Sequence, residues 1–238
     1  MTVLPILPES RPASAAPFER LPARVRRALR GIAVERSFER GQALLVQGAL
    51  RSSFFVLLDG RAKMTRDLAA GRTVLLSLFG PGDLVGVVAA LAATPSDASI
   101  VALTPGRALE IGRDELLELL AGEPRMIGEL LAALTGHLAE CRHCLVELTG
   151  TRVEARFATL FLCLAEDVGE ACEGAVLMPV RLSRQELADL AGTTIESAIR
   201  VLSRWHKAGA LETRDDGFLL RDRAALERAS GGAARRPV

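Results

Sequence analysis

The sequence predicts an α+β chain: short strands first, one long helix in the middle, and a small helix-turn-helix with a wing at the end. Three observations predict it. Between Phe38 and Ile111, apolar runs of four to seven residues alternate with glycines at 41, 48, 60, 71, 80, 82 and 86. From about Arg125 to Leu148, apolar residues recur at spacings of three and four. After Leu182, two short amphipathic segments each open on a helix-start signal and are split by Gly192.

Residues 1–17 are rich in proline and alanine and read as a flexible arm. Segment 18–29 carries apolar residues at 18, 21, 25 and 29 with arginines between them, which predicts an amphipathic helix. Strands are predicted at 43–46, 53–58, 62–65, 73–79, 99–103 and 108–111. Their short length and close spacing point to an all-β barrel or sandwich. Asp59-Gly60 stands between two of them and reads as a hairpin turn, because the pair tolerates positive φ.

A helix over 113–121 is stopped by Gly122 and Pro124. In the long helix over 125–148, Leu131, Leu134, Leu138, Cys141, Leu145 and Leu148 form a coiled-coil type of seam. The alternative is that this face packs on the chain's own β domain. A further helix over 152–167 and a strand over 175–180 follow. Ser183-Arg184-Gln185-Glu186 is a capping box, in which the serine and glutamate satisfy each other's amides. Thr193-Thr194-Ile195-Glu196 repeats that opening, and its helix runs to Lys207 before Gly209. Two strands around Asp215-Asp216-Gly217 make a wing, and 223–228 is the last helix. The expected division is an arm (1–17), a β sensor domain (18–122), a dimerisation helix (123–150) and a winged helix-turn-helix (151–238).

Composition narrows the function. Basic and acidic residues balance at 30 against 29, which argues against coating a polyanion by bulk charge but leaves room for a local basic surface. No signal peptide or membrane-spanning run is evident, and the four cysteines do not form a disulfide framework. A cytoplasmic protein without membrane association is expected. No nucleophile–base pair, phosphate loop or metal-hydrolase spacing stands out, so no enzyme is expected.

The helix-turn-helix suggests double-stranded DNA as partner, with its second helix in the major groove. Glu196 and Arg200 are four apart and share a helix face. Arginine can donate twice to guanine, glutamate can accept from cytosine N4, and Ile195 can touch a thymine methyl. Arg184, Gln185, Thr194 and Ser197 are candidates for phosphate contact. The plain structural alternative is that Glu196 is the third-position acid of a capping box and pairs with Arg200 on the surface.

The run from Leu182 to Leu202, LSRQELADLAGTTIESAIRVL, resembles the helix-turn-helix of the CRP/FNR family, the cyclic-AMP receptor protein and fumarate–nitrate reduction regulator type. Phe38-Glu39-Arg40-Gly41-Gln42-Ala43-Leu44, Leu58-Asp59-Gly60-Arg61-Ala62-Lys63 and Phe79-Gly80-Pro81-Gly82-Asp83-Leu84-Val85-Gly86 are similar to its β-roll. The resemblance spans about residues 18–225. It implies an N-terminal β-roll, a cyclic-nucleotide-binding-like jelly roll, followed by a long dimerisation helix and a C-terminal winged helix-turn-helix. It also implies a homodimer, a near-palindromic DNA site with a TGA-like half-site core, and RNA polymerase as a partner if the protein activates. Glu196 and Arg200 carry over as readers of that core. Ile195 departs from the arginine of the cyclic-AMP type, which opens the flanking bases.

The resemblance also frames the signal. Cyclic-nucleotide-binding members carry a glutamate after the glycine matching Gly86 and an arginine further on for the cyclic phosphate. Here Val87 and Val88 follow Gly86, and Ser96, Asp97 and Ala98 stand around the arginine position. A buried phosphate without a cation costs several kcal/mol, which argues against cyclic AMP. Val87 and Val88 are then effector candidates for an apolar pocket, which is either filled by the chain itself or open to a flat ligand such as haem. His137, Cys141 and Cys144 lie close together on the long helix. They suit haem, an iron–sulfur cluster, zinc or a redox disulfide, or simply pack in the seam. Two other functional readings stay open: a ligand-binding module acting on a protein partner, and a constitutive DNA binder without effector.

Overall fold

The computed structural model describes residues 16–69, 71–132, 135 and 152–231. The chain divides into two compact units. In the first, two four-stranded sheets form a sandwich. One has the order β1-β8-β3-β6, built from β1 (Val34–Phe38), β3 (Ser53–Leu57), β6 (Leu84–Val85) and β8 (Gly106–Gly112). The other has the order β2-β7-β4-β5, built from β2 (Ala43–Leu45), β4 (Ala62–Asp67), β5 (Thr73–Phe79) and β7 (Ser99–Ala102).

Strand β3 shows how the layers are assembled. Phe55 and Leu57 point into the sandwich, where they meet Phe38, Leu45, Ile100 and Ala108. Phe54 and Val56 point the other way, into a second core with Phe18, Val25, Leu29, Leu116 and Met126. Successive strand residues face opposite sides, so a strand covered on both reads as an unbroken apolar run. The second core is closed by α1 (Ala23–Ile32), α3 (Arg113–Gly122) and the helical residues 125–132. Each large side chain buried there contributes about 1.5–3 kcal/mol.

Two expectations need correction. The helix predicted from residue 18 begins only at Ala23, after Pro22, while Phe18 to Leu21 forms a turn in which the Phe18 amide donates to the Gly82 carbonyl at 3.1 Å. A residue before proline avoids the helical region, which ends any helix at Leu21. Phe18 and Leu21 are nevertheless buried, so their spacing reported core contact rather than helix. Asp59-Gly60 does not close a hairpin, because β3 and β4 belong to different sheets. Instead it turns a corner between them. Gly60 has φ 77°, and a Cβ on it would meet the Pro105 carbonyl oxygen at 2.7 Å. The Asp59 carboxylate accepts from the Arg107 backbone amide at 2.7 Å, which ties the corner to β8.

Strand β1 went unpredicted because it is a polar edge strand with only Phe38 buried. Strand β6 and helix α2 (Val87–Ala92) were missed for their shortness. The other strand and helix predictions agree with the structure to within a few residues. Of the predicted long helix, 125–132 is helical. Leu134, His137, Leu138, Cys141, Cys144, Leu145 and Leu148 lie outside the described residues, as does the arm up to residue 15.

The second unit contains α4 (Val153–Val168), α5 (Arg184–Leu190), α6 (Ile195–Lys207) and α7 (Arg223–Ala229). Its sheet runs β11-β12-β10-β9, from β9 (Glu170–Cys172), β10 (Ala175–Met178), β11 (Leu211–Arg214) and β12 (Gly217–Leu220). Strands β11 and β12 pair as a hairpin around Asp215-Asp216, the predicted wing. Phe161 of α4 is the hub of this unit. Its ring meets Phe218 of β12 at 5.1 Å and Trp205 of α6 at 6.2 Å, both edge to face. Such pairs add about 0.5–1.5 kcal/mol beyond their burial.

Candidate nucleic-acid interface

Helices α5 and α6 are joined by a turn whose geometry follows from one glycine. Gly192 has φ 57°, in the left-handed region, and its amide donates to the Asp189 carbonyl at 3.1 Å. The Thr193 amide reaches back to the Ala188 carbonyl at 2.9 Å. These two bonds form a Schellman motif, the left-handed helix stop that glycine permits. Arg156 of α4, half-buried, donates to the Gly192 carbonyl at 3.5 Å and so holds the turn against the unit's own scaffold.

The predicted capping box on α5 is present. Glu186 N donates to Ser183 Oγ at 3.1 Å, and Ser183 N donates to the Glu186 carboxylate at 2.8 Å. On α6 the cap differs from expectation. It is Thr194, not Thr193, and its hydroxyl accepts from the Ser197 amide. Glu196 is therefore the second residue of the helix, and the capping-box role expected for it falls away. Its carboxylate interacts with its own backbone amide and the Thr194 hydroxyl, which together hold it below the ordinary carboxylate range.

Helix α6 is anchored by one face, through Ala198, Val201, Leu202 and Trp205. Arg204 adds an ion pair to Glu154 of α4 at 2.7 Å. The opposite face carries Glu196 and Arg200, both exposed. They are not paired with one another in the described contacts: Arg200 donates to Ser197 Oγ at 3.3 Å. Ile195 is half-buried at the start of the same helix, and Ile199, absent from the sequence-based candidates, is 47% exposed. Its signal in the sequence is an isoleucine that falls off the buried row of α6.

The phosphate candidates divide. Thr194 and Ser197 sit at the exposed N-terminal turn of α6, where backbone amides favour an anion. Arg184 is half-buried and donates to Thr213 Oγ1 of the wing at 2.8 Å, and burial lowers its guanidinium from the ordinary value. Gln185 donates to Asp189 at 2.8 Å. The Arg184 bond ties α5 to the wing, and the Gln185 bond stays within α5.

In the sandwich unit, the segment after β6 departs from a charged pocket. Val87 is half-buried against the second core, and Val88 is exposed, so neither lies in the sandwich interior. Leu45 occupies the space beside Gly86: a Cβ there would sit 2.4 Å from its Cδ1. The Ser96 hydroxyl is buried and donates to the Ala98 carbonyl at 2.7 Å, while Asp97 faces solvent. No lysine or arginine occurs between Gly86 and Ile100.

Residues 35–123 match the cyclic nucleotide-binding domain, and residues 155–229 match the Crp-like helix-turn-helix domain. The chain belongs to the CRP/FNR family of DNA-binding transcription regulators. It is 28% identical over 191 residues to a CRP-like cAMP-activated global transcriptional regulator of Mycobacterium tuberculosis, covering 80% of this chain and 85% of that one. It is 25% identical over 171 residues to the global nitrogen regulator of a Nostoc species, covering 71% and 77%. A crystal structure of a candidate cyclic nucleotide binding protein from Ruegeria pomeroyi superposes with a TM-score of 0.69 at 28% identity, covering 89% of this chain and 92% of that one. CRP/FNR relatives thus carry names for different signals, and the family is one of regulators rather than enzymes. No helix among the described residues is long and apolar enough to cross a membrane.

Proposed function

We propose that this CRP/FNR regulator reads a near-palindromic DNA site as a homodimer, with Glu196 and Arg200 on base edges, and that it responds to a signal other than cyclic AMP. The observation that carries the base-reading assignment is the division of α6. Its apolar face is locked to Phe161 through Trp205, while Glu196 and Arg200 stand exposed on the other face. Rigid presentation of a few hydrogen-bonding side chains is what reading the major groove requires. Thr194 and Ser197 supply phosphate contacts at the helix start. Ile127 and Leu131 are 43% and 55% exposed on the helical residues 125–132. An apolar row left open on the single chain supports a second copy packing there. The signal assignment rests on the missing cation between Gly86 and Ile100.

Arg200→Ala tests the base-reading assignment. At the cognate site it should cost about 1–3 kcal/mol and relax discrimination at the matching guanine. A titration showing unchanged affinity and unchanged base preference would sink it.

A further inference from the structure

We infer that the tip of the wing, Asp215 and Asp216, is an electrostatic brake on DNA binding. It sets how tightly the protein holds a duplex of any sequence and how steeply salt weakens that hold. The inference rests on the DNA reading proposed above and concerns affinity, not base choice. Strands β11 and β12 pair up to Arg214 and Gly217, so the two aspartates make the whole turn between them, and both are exposed. The wing is firmly seated. Phe218 packs on Phe161 at 5.1 Å, the same ring that meets Trp205 of α6. A Cβ on Gly217 would collide with the Met178 carbonyl of β10. The Thr213 hydroxyl accepts from Arg184, the first residue of α5, at 2.8 Å.

In helix-turn-helix docking the second helix enters the major groove and the first crosses the sugar–phosphate backbone. A wing tied to the start of α5 is therefore held beside that backbone. Asp215 lies two residues beyond Thr213, about 7 Å of extended chain. That is within the screening length of about 8–10 Å at physiological salt, so both carboxylates act on the phosphates. The wing's own cation is already engaged: Arg214 pairs with Glu173 at 3.3 Å and with Glu212 at 3.6 Å. Arg184, half-buried against Thr213, is likewise held by the unit. Binding that ignores sequence is an electrostatic term, which grows with each phosphate neutralised. Two carboxylates fixed beside the backbone subtract from that term.

The test uses the full-length protein and two duplexes, one enriched from a randomised library and one of scrambled sequence. Asp215→Asn combined with Asp216→Asn should bind both duplexes about fivefold more tightly at low salt, the effect of removing two charges held near phosphates. The gain should shrink towards nothing as salt is raised, and the ratio between the two duplexes should stay that of wild type. Asp215→Glu combined with Asp216→Glu keeps both charges and should bind like wild type. Asparagine suits tight turns, and thermal melts check that both variants fold. If the asparagine variant binds no more tightly at low salt, or if its gain persists undiminished at high salt, the wing is no brake. Equal tightening in the glutamate variant would assign the effect to the shape of the turn and overturn the charge argument. A changed ratio between the duplexes would make the wing a reader of sequence instead. If the wild-type protein enriches no duplex at all, the base-reading proposal itself fails and takes this one with it.

Discussion

Single carboxylates carry much of the chemistry of this chain, and two of them show opposite uses. Glu196 is fully open, held ionised by its own amide and the Thr194 hydroxyl, and near the positive end of α6. An ionised carboxylate only accepts hydrogen bonds, which suits cytosine N4 and no other group on a G·C pair in the major groove. Glu110 of β8 instead holds structure together. It accepts from Ser53 Oγ at 2.8 Å and pairs with Arg36 at 3.0 Å and Arg51 at 3.7 Å. Burial pushes its carboxyl up, but Ser53, Arg36 and Arg51 together outweigh that and hold it below the ordinary range. Arg51 also donates to the Leu44 carbonyl of β2 at 2.5 Å, so the cluster straps one sheet to the other. A depressed carboxylate stabilises the fold above its unfolded pKa, and that stability is lost as pH falls through the folded one. Glu110→Gln should therefore lower the melting temperature at neutral pH, with the gap to wild type closing under acid conditions. Its arginine partners are half-exposed, so screening keeps the loss to about 1 kcal/mol or less. Thermal melts from pH 7 down to pH 3 check this, and a gap that widens in acid would contradict it.

At the scale of elements, the helix-turn-helix is positioned by its ends. Ser183 and Glu186 complete the start of α5, and Gly192 stops it and redirects the chain into α6. Ser183→Ala removes one half of the capping box and should cost about 1 kcal/mol in chemical denaturation. Gly192→Ala forces a Cβ into the left-handed region and should cost about 1–2 kcal/mol. The two should differ in DNA binding. Loss of the cap destabilises without moving α6, whereas strain at Gly192 reaches the turn that Arg156 holds. Equal loss of stability with equal, unchanged DNA affinity for the folded fraction would show that the turn does not set the aim of α6.

For the molecule as a whole, charge in the sandwich unit bears on the signal. Cyclic AMP must bury a phosphate charge, and the segment from Gly86 to Ile100 offers no cation to meet it. Saturating cyclic AMP should therefore leave both the melting temperature and the DNA affinity unchanged. A ligand present at 100 times its Kd stabilises a fold by about 2.7 kcal/mol, so binding could not go unnoticed in a thermal melt. A clear upward shift would overturn the proposal. The haem, iron–sulfur and zinc options rest on His137, Cys141 and Cys144. An anaerobic absorption spectrum of protein made with haem and iron available separates the two iron options: a Soret band marks haem, and broad weaker visible absorption marks an iron–sulfur centre.

The sequence alone determined the parts whose signal is local. Capping residues, the glycine at the turn and the apolar spacing of α6 place the helix-turn-helix, because each acts within a few residues of itself. Apolar runs bounded by glycines likewise located most strands, and the exposed pair Glu196 and Arg200 was legible from its spacing. Tertiary structure decided what depends on distant partners. Phe18 and Leu21 have helical spacing but serve a core that Met126 and Val56 help to build, and Pro22 breaks the helix. Asp59-Gly60 has the composition of a hairpin turn, yet its strands belong to different sheets, since pairing is set by β7 and β8 far along the chain. Arg184 and Gln185 look free in the sequence and are engaged by Thr213 and Asp189.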